Sequence, residues 1–135
     1  GLLELPGQPD ELSVYATEAY YTGPDSRVRR FTYRKDGFVA LNGTGEVLTR
    51  PLVFDGAVLS LNYRCASAGS VIVQLCDSDG VLIPGFECAP LGGDNVDHRI
   101  RWTSGQTSGK LAGQEVRLRL TLNNADVFAF QFVSQ

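Results

Sequence analysis

The chain has 135 residues, of which 43% are hydrophobic and 20% are charged, and its formal net charge is −3. A domain of this length buries enough surface to fold without a metal or a disulfide. Its acidic balance argues against the strongly basic surface that nucleic-acid binding favours. No apolar run approaches the ~18 residues that a membrane helix needs, so we expect a soluble domain with neither nucleic acid nor membrane as a partner.

Apolar and polar side chains alternate along most of the chain, a period that predicts β-strands with one buried face. The alternation is clearest at 57–65 and 116–123, and near the end Phe128, Phe130 and Phe132 share a face. Asp-Gly, Asn-Gly and Gly-Gly pairs separate these segments and indicate turns. In chain order, about ten strands are predicted, near 11–20, 27–34, 37–41, 48–54, 57–65, 70–77, 81–83, 97–103, 114–123 and 126–133.

Many short strands without a helical period are typical of a sandwich or a barrel. Because the strands are uneven in length and no repeat is present, we predict an all-β fold, an antiparallel two-sheet β-sandwich with jelly-roll-like connections, as a single domain over 1–135. Residues 1–34 are more polar and richer in arginine than the rest, and they can be a lead-in strand segment from a preceding domain. The chain contains no methionine and no signal-peptide pattern, which indicates a piece of a longer parent protein.

The chain has a single histidine, His98, which limits the kinds of catalytic site that it can form. A Ser-His-Asp arrangement would have to use it, but in a strand its neighbour Asp97 points to the opposite face of the sheet. No Gly-x-Ser-x-Gly elbow is present. Carboxylates are too numerous, and too often in turns, to single out a pair for glycoside cleavage. We therefore predict no catalytic residues and no enzyme activity.

Cys65, Cys76 and Cys88 are predicted to be free thiols, because three cysteines cannot all pair within one chain. If 57–65 and 70–77 form a hairpin, the first two cysteines lie at its opposite ends, too far apart for a disulfide. The spacings also lack the close Cys-x₂₋₄-Cys pair of a structural zinc site. We therefore predict no metal ligand and no cofactor.

Two acidic segments resemble calcium sites without completing one. Asp77-Ser78-Asp79-Gly80 matches the start of a calcium loop, but the distal glutamate does not follow. A hairpin turn at Asp79-Gly80 is the better interpretation. Asp94, Asn95 and Asp97 form the second cluster. A structural calcium ion stays an alternative that nothing further in the sequence supports.

Arginine is the strongest bias in the composition, with ten arginines against two lysines. Guanidinium groups suit carboxylate and sulfate partners, so an acidic polysaccharide is one interpretation. The other is an ordinary solvated sheet whose arginines pair with local carboxylates, since such exposed pairs are common and weak. The candidate ligand-binding arginines, all within strand patterns, are Arg101, Arg117 and Arg119.

Aromatic rings can bind neutral sugars, because the apolar face of a sugar packs on a flat ring. Trp102 is in phase with Ile100, which predicts a position in the core. Tyr20 and Tyr21 precede the turn signal Thr22-Gly23-Pro24, so at least one of the two rings should be exposed. The candidate aromatic contacts are Tyr20, Tyr21 and Tyr33.

A string of segments runs in order across 11–133: DGFV (36–39), PLVFDG (51–56), LSLN (59–62), DGVLIPGF (79–86), GDNVD (93–97), Trp102, LAGQEVRLR (111–119) and NADVFAF (124–130). Together they resemble the carboxy-terminal β-sandwich that follows a five-bladed β-propeller in bacterial glycoside-hydrolase-like proteins of the invertase and arabinanase type. In this family the catalytic carboxylates lie in the propeller. The resemblance further implies that 11–20 corresponds to the last strand of the propeller side and 27–38 to the start of the sandwich.

The resemblance adds a carbohydrate context and a secreted or cell-envelope location for the parent protein. It implies a non-catalytic carbohydrate-binding or accessory module of a polysaccharide-degrading enzyme. The partners would be a polysaccharide or oligosaccharide and the catalytic domain of the same parent chain. One alternative is a purely structural sandwich that braces a glycoside hydrolase catalytic domain. An enzyme in its own right would need a pocket with two convergent titratable groups.

Overall fold

The computed structural model describes residues 1–21 and 23–134; Thr22 and Gln135 lie outside the described residues. The described chain is nearly all β, with two antiparallel sheets, and is consistent with the predicted all-β sandwich. The jelly-roll connections are not confirmed. The chain divides into two compact units, Gly1–Phe38 and Val39–Gln135. This division lies four residues beyond the change in composition at residue 34.

The first unit contains a two-stranded sheet of β1 (Glu11–Glu18) and β2 (Arg27–Arg34). The strands pair along their full length, with Glu11 opposite Arg34 and Glu18 opposite Arg27. Cross-strand ion pairs reinforce the sheet, because Glu18 contacts the guanidinium groups of both Arg27 and Arg29. The two segments that the resemblance assigns to different domains are therefore partners in one hairpin.

The second unit contains the remaining elements, which are β3 (Leu41–Leu48), β4 (Leu52–Val53), β5 (Val58–Cys76), β6 (Leu82–Glu87), β7 (Asp94–Arg99), a short 3₁₀ helix (Ser108–Leu111) and β8 (Glu115–Val133). Strands β3, β8, β5 and β6 lie side by side, while β4 pairs with β8 and β7 pairs with β5. All of these pairs are antiparallel. The two 19-residue strands, β5 and β8, therefore form the centre of the sheet.

Four of the predicted strands are joined in pairs. The segments 57–65 and 70–77 form the single strand β5, not a hairpin, and 114–123 and 126–133 form β8. The predicted strands were separated at 66–69 and at 124–125. In the structure these two breaks are irregularities in the ladder, where the register between β5 and β8 shifts from Cys65 to Ser70. A bulge of this kind bends a strand while its pairing continues on both sides.

Two further strand predictions were wrong for a related reason. The Asp36-Gly37 pair closes a turn, with the N–H of Gly37 donating to the carbonyl of Arg34, and residues 37–40 that follow are not in a strand. Asn42-Gly43 predicted a turn, but Gly43 and Gly45 lie within β3 at a shift in its register. Strand β3 continues to Leu48, and of the strand predicted at 48–54 only Leu52–Val53 forms a separate strand, β4.

Strand β5 bends sharply at residues 66–69. The backbone of Val71 exchanges hydrogen bonds with Leu91, whereas the N–H of Cys65 donates to the carbonyl of Gly93 at 2.7 Å. In a straight strand Cys65 and Val71 would be about 20 Å apart. The two-residue step from Leu91 to Gly93 covers at most about 7 Å. The sheet therefore turns a corner here and its two halves face each other.

The core lies between these halves. Leu59, Leu61 and Tyr63 from one half of β5 and Val71, Val73 and Leu75 from the other belong to a single buried cluster. The predicted inward face of β8 is confirmed, since its members Val116, Leu118, Leu120 and Leu122 are all buried. The prediction of a wetter outward face on β5 was wrong for Ser60 and Asn62, which are also buried.

All three cysteines are free thiols, as predicted; Cys76 and Cys88 are buried and Cys65 is half-buried. Burial raises the pKa of the Cys88 thiol, against the opposing effect of the Val73 N–H that donates to its sulfur at 3.2 Å. Burial raises the pKa of the Cys65 and Cys76 thiols as well. The folded chain thus keeps these thiols protonated to a higher pH than the unfolded chain does.

This difference predicts a stability that falls in alkaline solution. An unfolded cysteine ionises near pH 8.5, so above that pH the folded state binds more protons than the unfolded state and the free energy of unfolding decreases. Below that pH the contribution is complete. Urea unfolding at pH 7.5 and 9.5 measures the decrease. The Cys88→Ala variant should show a smaller decrease than the parent, and an unchanged decrease would contradict this assignment.

Candidate functional site

The candidate site is a pocket of about 410 Å³ in the second unit, next to the end of β7. It lies among Val58 at the start of β5 with the preceding Ala57, the segment 99–102 and the loop 105–108. We call it the 99–108 pocket. Its position follows from the chain path: residues 100–102 continue β7 beyond Arg99, which pairs with Ser60 of β5, and the chain then returns through the loop.

Side chains along the segment 99–102 alternate between the core and the surface of the protein. Ile100 and Trp102 are buried in the core, whereas Arg99 and Arg101 are exposed. The backbone N–H of Ile100 donates to the carbonyl of Leu59 at 2.8 Å, which fixes the segment against β5. Two guanidinium side chains therefore leave the same side of one extended segment.

Two hydrogen bonds hold the loop in place. The indole Nε1–H of Trp102 donates to the hydroxyl of Ser108 at 3.0 Å, and both residues are buried. The N–H of Gly109 donates to the carbonyl of Ala57 at 3.2 Å. The prediction of Trp102 as a core residue is confirmed by its 4% exposure. Its ring lines the pocket with little exposed surface, and its hydrogen bond with Ser108 positions the loop.

The wall of the pocket combines apolar and hydrogen-bonding groups. Ala57 and Val58 contribute aliphatic surface, while Arg99, Arg101 and Gln106 contribute charged and amide donors. The hydroxyl of Thr107 adds a donor and acceptor. An apolar surface with a few converging polar groups is the usual composition of a small-ligand site.

Of the predicted ligand-binding residues, Arg101 lines this pocket and Arg117 and Arg119 do not. Both of the latter lie on β8. The guanidinium of Arg119 donates to the carbonyl of Gly80 at 2.6 Å and to Oε1 of Gln74 at 3.5 Å, and its Nε lies 3.4 Å from the carboxylate of Glu46. Arg119 therefore ties three strands and the β5–β6 turn together.

Arg117, like Arg119, has an Nε that is buried without a hydrogen-bond partner among residues 1–21 and 23–134. It lies opposite Cys76 of β5, a buried thiol that is not part of the core cluster. Arg117 and Arg119 thus share one region of the sheet, which is separate from the site of Arg101.

The three predicted tyrosines all lie in the first unit. Tyr20 and Tyr21 are 63% and 88% exposed, so the prediction of an exposed ring is confirmed. Their ring centroids lie 4.1 Å apart, and the Tyr20 hydroxyl has a raised pKa because of its hydrogen bond with Tyr21. Tyr33 is on β2, with its ring centroid 5.7 Å from that of Phe38.

A second pocket, of about 390 Å³, lies where the sheet turns its corner. Its main polar feature is Asp126, whose carboxylate accepts hydrogen bonds from the guanidinium of Arg64 at 2.6 and 3.1 Å and from the amide of Asn42. The guanidinium carbon of Arg64 also lies 5.6 Å from the centroid of Phe128. The polar side chains of Asn42, Arg64 and Asp126 in this pocket are therefore hydrogen-bonded to each other.

His98 and the acidic segment at 77–80 make contacts within the fold. The ring of His98 makes an edge contact with Tyr63, with centroids 5.7 Å apart. The prediction of a hairpin turn at Asp79-Gly80 is confirmed, since Oδ1 of Asp77 accepts hydrogen bonds from the N–H groups of Asp79 and Val81.

Within the described ranges, no group of three or more His, Cys, Asp or Glu side chains could hold a metal ion. No helix among these residues has the length and hydropathy of a membrane span.

The sequence did not single out Gln106 and Thr107 as site residues, and Arg99 carried no special signal. Gln106 and Thr107 belong to a loop, where composition predicts only a polar surface. A search of protein-family models, curated proteins and solved structures found no match to the chain. The composition and geometry of the 99–108 pocket are therefore what bears on function.

Proposed function

We propose that this chain is a non-catalytic carbohydrate-binding module and that an oligosaccharide binds in the 99–108 pocket. The observation that carries the proposal is the pocket itself, in which the aliphatic surface of Ala57 and Val58 lies beside the donors of Arg99, Arg101 and Gln106. Sugars present the same combination, with apolar C–H faces and a rim of hydroxyl groups. The partner in the parent protein would be a catalytic domain that acts on the same polysaccharide.

The chemistry of these side chains favours binding over catalysis. Guanidinium groups stay protonated in proteins, and amides do not titrate, so neither type transfers a proton at neutral pH. The loop is held by the buried Trp102–Ser108 hydrogen bond. A site formed before the ligand arrives loses less entropy on binding.

Titration of the isotope-labelled chain with oligosaccharides should locate the site. We expect the amide resonances of 57–58 and 99–108 to shift as ligand is added. The Gln106→Ala variant should raise the Kd about five- to tenfold, the effect of one lost hydrogen bond of about 1 kcal/mol.

Gln131→Ala is the matched control, because Gln131 is an exposed glutamine on β8 outside the pocket. It should leave the Kd unchanged. Shifts confined to other parts of the chain, or equal effects of the two variants, would show that the 99–108 pocket is not the site. Absence of binding across neutral and acidic oligosaccharides would refute the function.

A specific observation favours the structural alternative, a sandwich that braces a catalytic domain. On the β1–β2 hairpin, Val14 lies opposite Phe31 and Leu12 opposite Tyr33, so the four share one face. Phe31 and Tyr33 are exposed. A two-stranded hairpin is only marginally stable by itself, and a contact with a neighbouring domain would bury this apolar face.

This alternative predicts that the Phe31→Ser variant folds as stably as the parent chain but binds the catalytic domain of its parent protein more weakly. Co-purification of the two separately expressed domains measures the binding. Equal retention of variant and parent chains would count against a bracing role. So would a Phe31→Ser variant that is itself strongly destabilised, since the ring would then be needed within this chain.

A further inference from the structure

We infer that the 99–108 pocket is selective for acidic oligosaccharides, with the carboxylate of a uronic acid held by Arg101 together with Arg99. The inference rests on the proposed carbohydrate-binding function and specifies its ligand class. It depends on three features of the pocket: the positive sign of its charges, the free hydrogen-bond donors of Arg101, and the planar shape of the guanidinium group.

The pocket is positively charged although the chain as a whole carries a net charge of −3. Ten described residues line it, two of which are arginines and none of which is an aspartate or glutamate. Oppositely charged ligands are attracted by the local potential and not by the net charge of the chain. An anionic ligand is therefore favoured at this position.

The two arginines differ in how far they are already neutralised. Nη2 of Arg99 lies 3.1 Å from the carboxylate of Asp97, and both side chains are about half exposed. The same carboxylate accepts a hydrogen bond from the hydroxyl of Ser60. Arg101, in contrast, has no ion pair or side-chain hydrogen bond with any residue in 1–21 or 23–134. Arg101 is thus the guanidinium that has its donors free for a ligand.

The geometry of the site suits a planar anion. A guanidinium presents parallel N–H donors that match the two oxygens of a carboxylate. Arg99 and Arg101 are two residues apart on an extended segment, so their Cα atoms are about 7 Å apart and their side chains leave on the same side. Gln106 and Thr107 on the loop can then bind the hydroxyl groups of the same or the next sugar.

Calorimetry with matched ligands tests the inference. The probes are homo-oligomers of galacturonate, mannuronate and glucuronate, each with its fully methyl-esterified form, in which the same sugar has no charge. We expect at least one oligouronate to bind at least about tenfold more tightly than its ester, since hydrogen bonds to charged groups contribute more than neutral ones. Raising the salt concentration should weaken that binding.

Variants assign the effect to residues. Arg101→Gln should weaken oligouronate binding at least about tenfold while changing the affinity for the ester little, and Arg99→Gln should have a smaller effect. Arg50→Gln is the control, because it removes the same charge from an exposed arginine outside the pocket. Circular dichroism and urea unfolding check that each variant is folded.

The outcomes separate the inference from the function on which it rests. Equal affinities for an oligouronate and its ester, or equal losses in Arg101→Gln and Arg50→Gln, would overturn acidic selectivity while sugar binding stands. Absence of binding to every acidic, esterified and neutral oligosaccharide would refute the function and the inference together. Tight binding of the oligouronate that depends on Arg101 would support both.

Discussion

The Gly69→Ala variant should lose about 1–3 kcal/mol of its free energy of unfolding, the usual cost of forcing an extra group into a filled space. Gly69 lies at the corner where β5 bends. A Cβ at this position would lie 2.5 Å from the carbonyl oxygen of Asn124 and 2.8 Å from that of Asn123. Both obstacles are backbone atoms of β8, the strand that pairs with β5. The clash can be relieved only by moving the corner itself.

Gly92→Ala is the matched control for this substitution. Gly92 lies close to the same corner, but a Cβ there would meet only the carbonyl oxygen of Gly69, at 3.8 Å, which is an ordinary contact. The control should change stability by less than about 0.5 kcal/mol. Urea unfolding at neutral pH measures both variants. Equal stabilities would contradict the close approach of the two strands at Gly69.

The Trp102→Phe variant should lose about 2 kcal/mol of stability or more, and it should bind oligosaccharide more weakly. It removes the indole N–H that donates to the buried hydroxyl of Ser108, and an unsatisfied buried hydroxyl costs about 1–3 kcal/mol. The smaller ring also leaves space next to Phe86, whose ring meets Trp102 edge-on at 5.7 Å. Because this bond holds the loop 105–108, its loss should also disorder one wall of the pocket.

A double-mutant cycle isolates the hydrogen bond from the change in ring size. Ser108→Ala leaves the indole N–H unpaired, whereas Trp102→Phe with Ser108→Ala removes both partners. We expect the double variant to be less destabilised than the sum of the single variants. Additive losses of stability would show that the bond contributes nothing beyond packing. The affinity for oligosaccharide should follow the same order as stability.

Local patterns predicted the strands well where the alternation of side chains was strict and the turn residues did form a turn. Val116 to Leu122 alternate strictly, and each apolar member is buried as expected. Asp79-Gly80 closes a hairpin because Asp77 caps the turn with its carboxylate. Asn42-Gly43 is a similar turn signal, yet it lies within β3. Whether a small-residue pair ends a strand or bends it depends on what pairs with the chain on either side.

The candidate site shows the same division. Alternation placed Trp102 in the core and left Arg101 facing outward, and both are found so. Alternation could not show that Arg101 lies apart from Arg117 and Arg119, or that Arg119 contacts Gly80, Gln74 and Glu46. Those partners come from β3, β5 and the β5–β6 turn. Their approach depends on strand order, which a single segment does not encode.

The order of residues along this chain determined that it is built of extended segments and which side of each segment is apolar, because the two-residue period is a local property of the backbone. It left open the long-range arrangement. The joining of four predicted strands into β5 and β8, the corner at Gly69 and the formation of the 99–108 pocket all come from folding. The physical reason is that hydrogen bonds between distant segments, such as Cys65 to Gly93 and Gly109 to Ala57, decide where the chain bends and which side chains meet.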